Sequence, residues 1–362
     1  MLGAEGGRRT ACTDDNGGSG QADSGGQLTD RKDDDQDRTQ RYAAVPGWAG
    51  RLEAGDTRDV AGVATDRLDR VYALTRRPSE VLVYDASGSL LTAWGKGVFT
   101  DRAHGISVAP DGFVYCTDDA DHTVRKFTPD GELVMTMGVA KTPSDTGYDG
   151  ATIGSILYGG PPFNRPCNVA FGQAGEVFVA DGYGNARVHK FAASGKLERS
   201  WGEPGTGPGE FNLPHGLAML PDQRLLVADR ENDRIQVFTL DGDYLTEWRH
   251  VQRPTQVAFD QQRGAILVSE LPWASGERSP STGMKPRFLH GRVSVLDADG
   301  QVLDRWGAPQ QWASGAFAAP HGIASDSSGS VYVAEVASSF WSSRDVAVPA
   351  GCPTLHKFVY TP

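Results

Sequence analysis

The chain has 362 residues, a formal net charge of −11, 45 glycines, 21 prolines and four cysteines. Apolar residues are 39% of it and charged residues 22%, enough for a core, while the glycine and proline content suits many turns rather than long helices. The acidic balance excludes nucleic acid and an anionic membrane as main partners, no run of about 18 apolar residues offers a membrane-spanning helix, and the scattered Cys12, Cys116, Cys167 and Cys352 form neither a CxxC pair nor a zinc-finger spacing.

Residues 1–40 are rich in Gly, Asp, Ser and Gln and nearly free of large apolar side chains. Such a segment cannot bury enough surface to offset its ordering entropy, so a disordered acidic tail is expected there. Residues 1–30 hold no apolar signal-peptide core. With the sparse cysteines this gives a reducing cytoplasm as the expected compartment.

From about residue 57 the chain repeats with a period of about 40–50 residues. Six units are legible, over approximately 57–97, 102–139, 164–203, 212–250, 253–308 and 318–362. Each holds short runs of alternating apolar residues, and turn pairs such as Asp111-Gly112, Asp130-Gly131, Asp241-Gly242 and Asp299-Gly300 separate several of them. Alternation broken by Asp-Gly is a hairpin signal. Four antiparallel strands per unit, repeated radially, predict an all-β, six-bladed β-propeller over residues 41–362. The sixth unit lacks a fourth strand, which residues 42–49 are expected to supply, closing the ring. Inserts at 140–163, 272–289 and 337–353 break the pattern and are expected on the rims, as candidate lids.

Aligning the units at their first strands brings Ala61, His104, Cys167, His215, Thr255 and His321 to one equivalent position. Histidine stands in units two, four and six only, separated by 111 and 106 residues. First strands of a propeller line its channel, so alternate members of a six-membered ring lie about 120° apart and face the axis. That is the arrangement of a three-histidine metal site with an open position, suited best to Zn²⁺ and also to Fe²⁺, Co²⁺ or Mn²⁺. Imidazoles that merely pack against a neighbouring blade have no reason to respect blade parity. His122, His189, His250, His290 and His356 fall in outer strands or loops and are read as surface residues.

A second ring follows the second strands, where the units read Thr75-Arg76, Asp118-Asp119, Asp181-Gly182-Tyr183, Asp229-Arg230, Glu270-Leu271 and Glu335-Val336. The repeated acid is read as a structural tie to a neighbouring loop. Arg76, Tyr183 and Arg230 are expected at the channel mouth. Two guanidiniums beside a cation suit a ligand bearing a carboxylate, and a phenol between a guanidinium and a metal is a candidate base.

These residues resemble peptidyl-α-hydroxyglycine α-amidating lyase, an NHL-type propeller family, over about residues 42–362. The carrying motifs are AHGI at 103–106, DGYGNARV at 181–188, PHGLAML at 214–220, VADRENDRIQVF at 227–238 and PHGIAS at 320–325. The resemblance implies zinc on His104, His215 and His321, Tyr183 as the catalytic tyrosine, and Arg76 and Arg230 as the active-site arginines. Departures accompany it. Gly184, Asn164 and Leu226 stand where the family's animal members place disulfide cysteines, and Ala319 stands for a methionine. Gly322 replaces an aspartate of a structural calcium site, leaving only the backbone carbonyls of Val63 and Ile106 for Ca²⁺. No monooxygenase domain accompanies the repeats in this sequence.

The expected function is therefore a metal-dependent carbon–nitrogen lyase. Its substrate is a carboxylate-bearing carbinolamide, peptidyl or small, such as ureidoglycolate or an N-acyl-hydroxyglycine, and its products are an amide or urea and glyoxylate. Two alternatives stay open. One is a hydrolase or other lyase on the same three-histidine site, and the other is a non-catalytic propeller binding a peptide or protein.

Overall fold

The computed structural model describes residues 41–49, 59–307, 316–349 and 351–362. The tail expected to be disordered, residues 1–40, lies outside them. The described residues form six four-stranded sheets and one two-stranded hairpin. Strands within each sheet are antiparallel, and the first strands touch one another in a closed cycle, so the sheets ring one axis. The first strands are Val60–Thr65, Ala103–Val108, Pro166–Phe171, Pro214–Met219, Pro254–Asp260 and Pro320–Ser325.

The ring closes as the sequence predicts. The short strand Tyr42–Ala44 pairs antiparallel with Leu355–Tyr360 and becomes the outer strand of the sixth blade. Tyr42 also stacks on Trp306 of the fifth blade, with ring centres 4.1 Å apart. The join between first and last sequence segments is thereby both hydrogen-bonded and packed.

Second strands such as Val177–Asp181 and Leu225–Asp229 are buried throughout, whereas the outer strand Leu90–Trp94 is largely exposed. The core lies between neighbouring sheets. Leu74 and Val83 of the first blade join Cys116 and Phe127 of the second in one cluster, and Leu226 and Trp248 of the fourth join Val257 and Ile266 of the fifth in another. Burying both faces of each inner strand accounts for the near-continuous apolar runs there.

In five of the six blades the acid ending the second strand ties the blade to the loop leading into its own first strand; the first blade has Thr75 there. Asp118 accepts from Thr100 N (2.7 Å), Asp181 from Asn164 N (2.7 Å), Asp229 from Asn212 N (2.7 Å), Glu270 from Gln252 N (2.6 Å) and Glu335 from Ala318 N (2.7 Å). The structural reading of this ring holds. Among the described residues no helix is long and apolar enough to cross a membrane, and the one α-helix, Ala337–Ser342, belongs to the third insert.

Candidate metal centre and active site

Every first strand carries a β-bulge at the ring position. Ala103 pairs with Asp118 and Gly105 with Thr117, leaving His104 unpaired between them. The same irregularity brackets Cys167, His321 and Ala61, and spans His215 in the fourth blade. A bulge puts an extra residue into one strand and re-aims its side chain. This is the local reason that the ring residues face one another.

The three imidazoles form a compact triangle. Their ring centres are 4.8 Å apart for His104–His215, 4.8 Å for His104–His321 and 4.7 Å for His215–His321. Each is held through Nδ1 by a ring-position carbonyl: His104 by Cys167 O at 2.8 Å, His215 by Thr255 O at 2.7 Å and His321 by Ala61 O at 2.6 Å. A carbonyl only accepts, so each Nδ1 carries the proton and each Nε2 keeps its lone pair. Burial first, then neighbouring imidazoles and arginines, push His104 and His215 well below the usual imidazole range, and burial with Arg76, Arg230 and Arg102 pushes His321 to about 3. Three neutral imidazoles with fixed tautomers and free Nε2 atoms fit a divalent transition metal.

The Gly after each of these histidines has a spatial cause. A Cβ on Gly105 would come within 2.3 Å of Cys167 O, and one on Gly216 within 2.4 Å of Thr255 O. These are the carbonyls that hold His104 and His215. The His-Gly step therefore lets the next ring residue, on the neighbouring blade, approach closely enough to orient the imidazole.

Cys167 was not assigned a role from sequence. Ligand atoms of His104, Cys167 and His215 all lie within 4.8 Å of one another, so a His/Cys/His cluster able to take a divalent metal is present. Burial pushes the Cys167 thiol up, and it bonds Arg165 O at 3.7 Å. A neutral thiol is a poorer ligand than an imidazole whose lone pair is already exposed.

Tyr183 caps the triangle. Its hydroxyl lies 3.3 Å from Nε2 of His104 and 3.4 Å from Nε2 of His215, and it accepts a 2.9 Å hydrogen bond from Nη1 of Arg230. Arg230 is held in turn by Glu231, which also accepts from Arg253 at 3.1 Å. Arg76 is 4% exposed, and its Nε donates to Ala103 O at 2.8 Å. Its Nη2 has no partner among the described residues. Burial pushes its pKa down and Arg102 adds to the effect. A buried guanidinium short of an acceptor fits an anionic ligand. The adjacent Arg77 is exposed.

All three inserts dock beside this mouth. Thr146 donates to Gly184 O at 2.6 Å, and Asn164, the residue in place of a family cysteine, donates to Ser144 O at 3.0 Å. Ser279 donates to Glu231 O at 2.7 Å, and Lys285 reaches Asp233 at 2.7 Å. The helix of the third insert places Ser338 N and Ser339 N on the Asp59 carboxylate.

Two expectations change. His189, read as a surface residue, is fully buried and bonds Ser200 Oγ at 2.7 Å, with Nε2 3.4 Å from Asp181. His356 is half-buried against Glu335. Both secure the acid at the end of a second strand, a role that strand position alone did not reveal. For calcium, the cavity beneath the histidines is lined by Val63, Ile106, Asn168, Gln256 and Gly322, with carboxamides and no carboxylate. A Cβ on Gly322 would lie 2.9 Å from Val63 N, and Gln256 instead donates to Asn168 Oδ1 at 3.2 Å. Without a carboxylate, only carboxamide and backbone carbonyl oxygens remain there for Ca²⁺. Among the described residues Cys116, Cys167 and Cys352 are free and buried.

Comparison with known proteins follows this geometry. The NHL repeat family pattern matches residues 211–238. The chain is 31% identical over 277 residues to peptidyl-alpha-hydroxyglycine alpha-amidating lyase 1 of Drosophila melanogaster, covering 72% of this chain and 47% of that protein. It is 30% identical over 291 residues to human NHL repeat-containing protein 3, covering 76% of each. It spans only 24% of the rat peptidylglycine alpha-amidating monooxygenase that it also matches. A solved virginiamycin B lyase from Staphylococcus aureus superposes with a TM-score of 0.52 at 14% identity, covering 83% of this chain and 94% of that one, which is a likeness of fold. The repeats, the closed ring and the human relative place the chain in the NHL-repeat family, as a six-bladed propeller that is also similar to the amidating lyases.

Proposed function

We propose that the chain is a metal-dependent carbon–nitrogen lyase acting on N-acyl or N-carbamoyl α-hydroxyglycines. The observation that carries this reading is Tyr183, whose hydroxyl sits against two free imidazole Nε2 atoms while a buried arginine holds it from the other side. The similarity to the Drosophila lyase supports the same chemistry.

His104, His215 and His321 would hold the metal, zinc by the preference of three neutral imidazoles. When bound, it supplies positive charge that acidifies a substrate hydroxyl. Arg76 takes the substrate carboxylate with its unpartnered Nη2. Tyr183, in its phenolate form and kept in place by Arg230, receives the α-hydroxyl proton at its phenolic oxygen. The hydroxyl electron pair then becomes the carbonyl of glyoxylate as the C–N bond breaks, and Tyr183 returns a proton to the departing nitrogen. Arg76 and Arg230 offset the negative charge developing in that step.

The test is glyoxylate release from N-benzoyl-α-hydroxyglycine and from ureidoglycolate by zinc-loaded protein. Tyr183→Phe is expected to abolish release with metal content unchanged. Release undiminished in that variant removes Tyr183 from the mechanism, and hydrolysis of esters or lactones without glyoxylate favours the hydrolase alternative.

A further inference from the structure

The residues immediately preceding the six first strands form a third ring: Asp59, Arg102, Arg165, Leu213, Arg253 and Ala319. Arg102 and Arg165 set their guanidinium carbons 5.7 and 5.5 Å from the centre of the Tyr183 ring. Both bond one carboxylate. Asp119 accepts from Arg102 Nη2 at 2.6 Å and Nε at 3.2 Å, and from Arg165 Nη2 at 2.9 Å and Nε at 3.3 Å.

One carboxylate balances one of these two cations. Asp119 is fully buried, while the Arg102 and Arg165 side chains keep 31% and 21% of their exposure, so the excess positive charge faces the mouth. The remaining Arg165 amino group, Nη1, meets only the neutral phenol of Tyr148, at 3.2 Å. Arg102 Nη1 has no hydrogen-bond partner among the described residues. Arg76, deeper in the channel, is a separate cation with its own open Nη2. In a chain of net charge −11, this cluster of guanidiniums, set against the buried Asp119 and the exposed Asp101 beside Arg102, is local to the mouth.

We propose that Arg102 and Arg165 form a second anion subsite, and that the substrate is a dianion, an N-acyl-α-hydroxyglycine whose acyl chain ends in another acidic group. The assignment of substrate ends rests on the lyase reading above. Arg76 takes the carboxylate next to the carbinol carbon, and the Arg102–Arg165 pair takes the far acid by charge-assisted hydrogen bonds. The reaction itself is unchanged. R–CO–NH–CH(OH)–COO⁻ gives R–CO–NH₂ and OHC–COO⁻, with the hydroxyl proton passing through Tyr183 to the nitrogen. The second acid, in R, serves binding alone.

The test uses the full chain loaded with zinc and the unreactive probe N-succinylglycine, compared by calorimetry with its methyl ester at the succinyl end. Wild type is expected to bind the diacid at least tenfold more tightly, with the preference falling as salt rises. Arg102→Gln and Arg165→Gln are each expected to cut that ratio below threefold, with Arg102→Lys retaining part of it and circular dichroism verifying the fold. A wild-type ratio near one, or an unchanged ratio in both folded Gln variants, overturns the subsite. Turnover separates this from the lyase reading. A binding preference with no glyoxylate from N-succinyl-α-hydroxyglycine overturns the lyase and leaves the subsite standing. Equal glyoxylate release from diacid and ester overturns the subsite and leaves the lyase.

Discussion

Arg230 donates from Nη1 to the hydroxyl of Tyr183 at 2.9 Å, and this one bond joins the fourth blade to the third directly above the histidine triangle. Both groups are anchored from behind. Glu231 holds Arg230 through Nε, and Thr146 bonds the carbonyl of Gly184, the residue after Tyr183. The phenol therefore meets the imidazoles in a fixed pose, which saves the reorganisation a mobile base would need.

Arg230→Gln removes the charge and the fork while keeping most of the volume. A hydrogen bond to a charged group contributes about 1.5–3 kcal/mol, so turnover is expected to fall about 10- to 100-fold. Metal content is expected to stay at wild-type level, because Arg230 touches no imidazole Nε2 through any hydrogen bond. Steady-state kinetics with metal analysis checks both, and an unchanged kcat contradicts the role given to this bond.

The ligand set is decided by two substitutions. With three histidine ligands, His321→Ala loses the metal and Cys167→Ser retains it. With the His104, Cys167 and His215 grouping as ligands, the pattern reverses. The first outcome is expected, since the Cys167 thiol is neutral and turned to Arg165 O. Metal per chain by mass spectrometry on chelator-free protein distinguishes them.

The blade count, the ring closure and the alternating histidines were all legible in the sequence, because each is written at a fixed offset in a repeat. His104, His215 and His321 could be aligned without knowing any distance. Arg102 and Arg165 were not singled out, although the same alignment one position before the first strands displays them. Their meaning depends on sharing Asp119, which no spacing reveals. His189 was misjudged for a related reason: an outer-strand position reads as exposed, but this side chain turns inward to Ser200 and Asp181. The docking of the inserts rests on backbone acceptors such as Gly184 O and Glu231 O, and side-chain identity carries no signal for those.

Gly105→Ala tests why His is followed by Gly. The added methyl would fall 2.3 Å from Cys167 O and 2.8 Å from Asn168 Nδ2, so the third blade's first strand must move away. That strand supplies the acceptor for His104 Nδ1. Overpacking of this kind costs about 1–3 kcal/mol, and here it also releases an imidazole. Lowered urea midpoints together with weakened zinc affinity are expected. A destabilised protein with unaltered zinc affinity would separate the glycine from the metal site.

Asp119→Asn tests the charge balance at the mouth and predicts its pH dependence. Burial raises the Asp119 pKa, but Arg102 and Arg165 outweigh it, and the carboxyl is held below its ordinary value. A carboxylate with a depressed folded-state pKa contributes stability above its unfolded pKa of about 4 and loses it as pH falls through the folded value. Leaving two guanidiniums over a neutral amide is expected to cost about 3 kcal/mol at pH 7, at the low end for breaking a buried ion pair because both arginines keep some solvent. The gap between wild type and variant should stay level from pH 8 to pH 5 and narrow below about pH 4, where Asp119 of the unfolded wild-type chain begins to bind a proton that the folded carboxylate still refuses. Urea unfolding of metal-free protein at pH 7, 5 and 3.5 measures it. A gap that is constant down to pH 3.5 would show that Asp119 acts there through packing rather than through its charge.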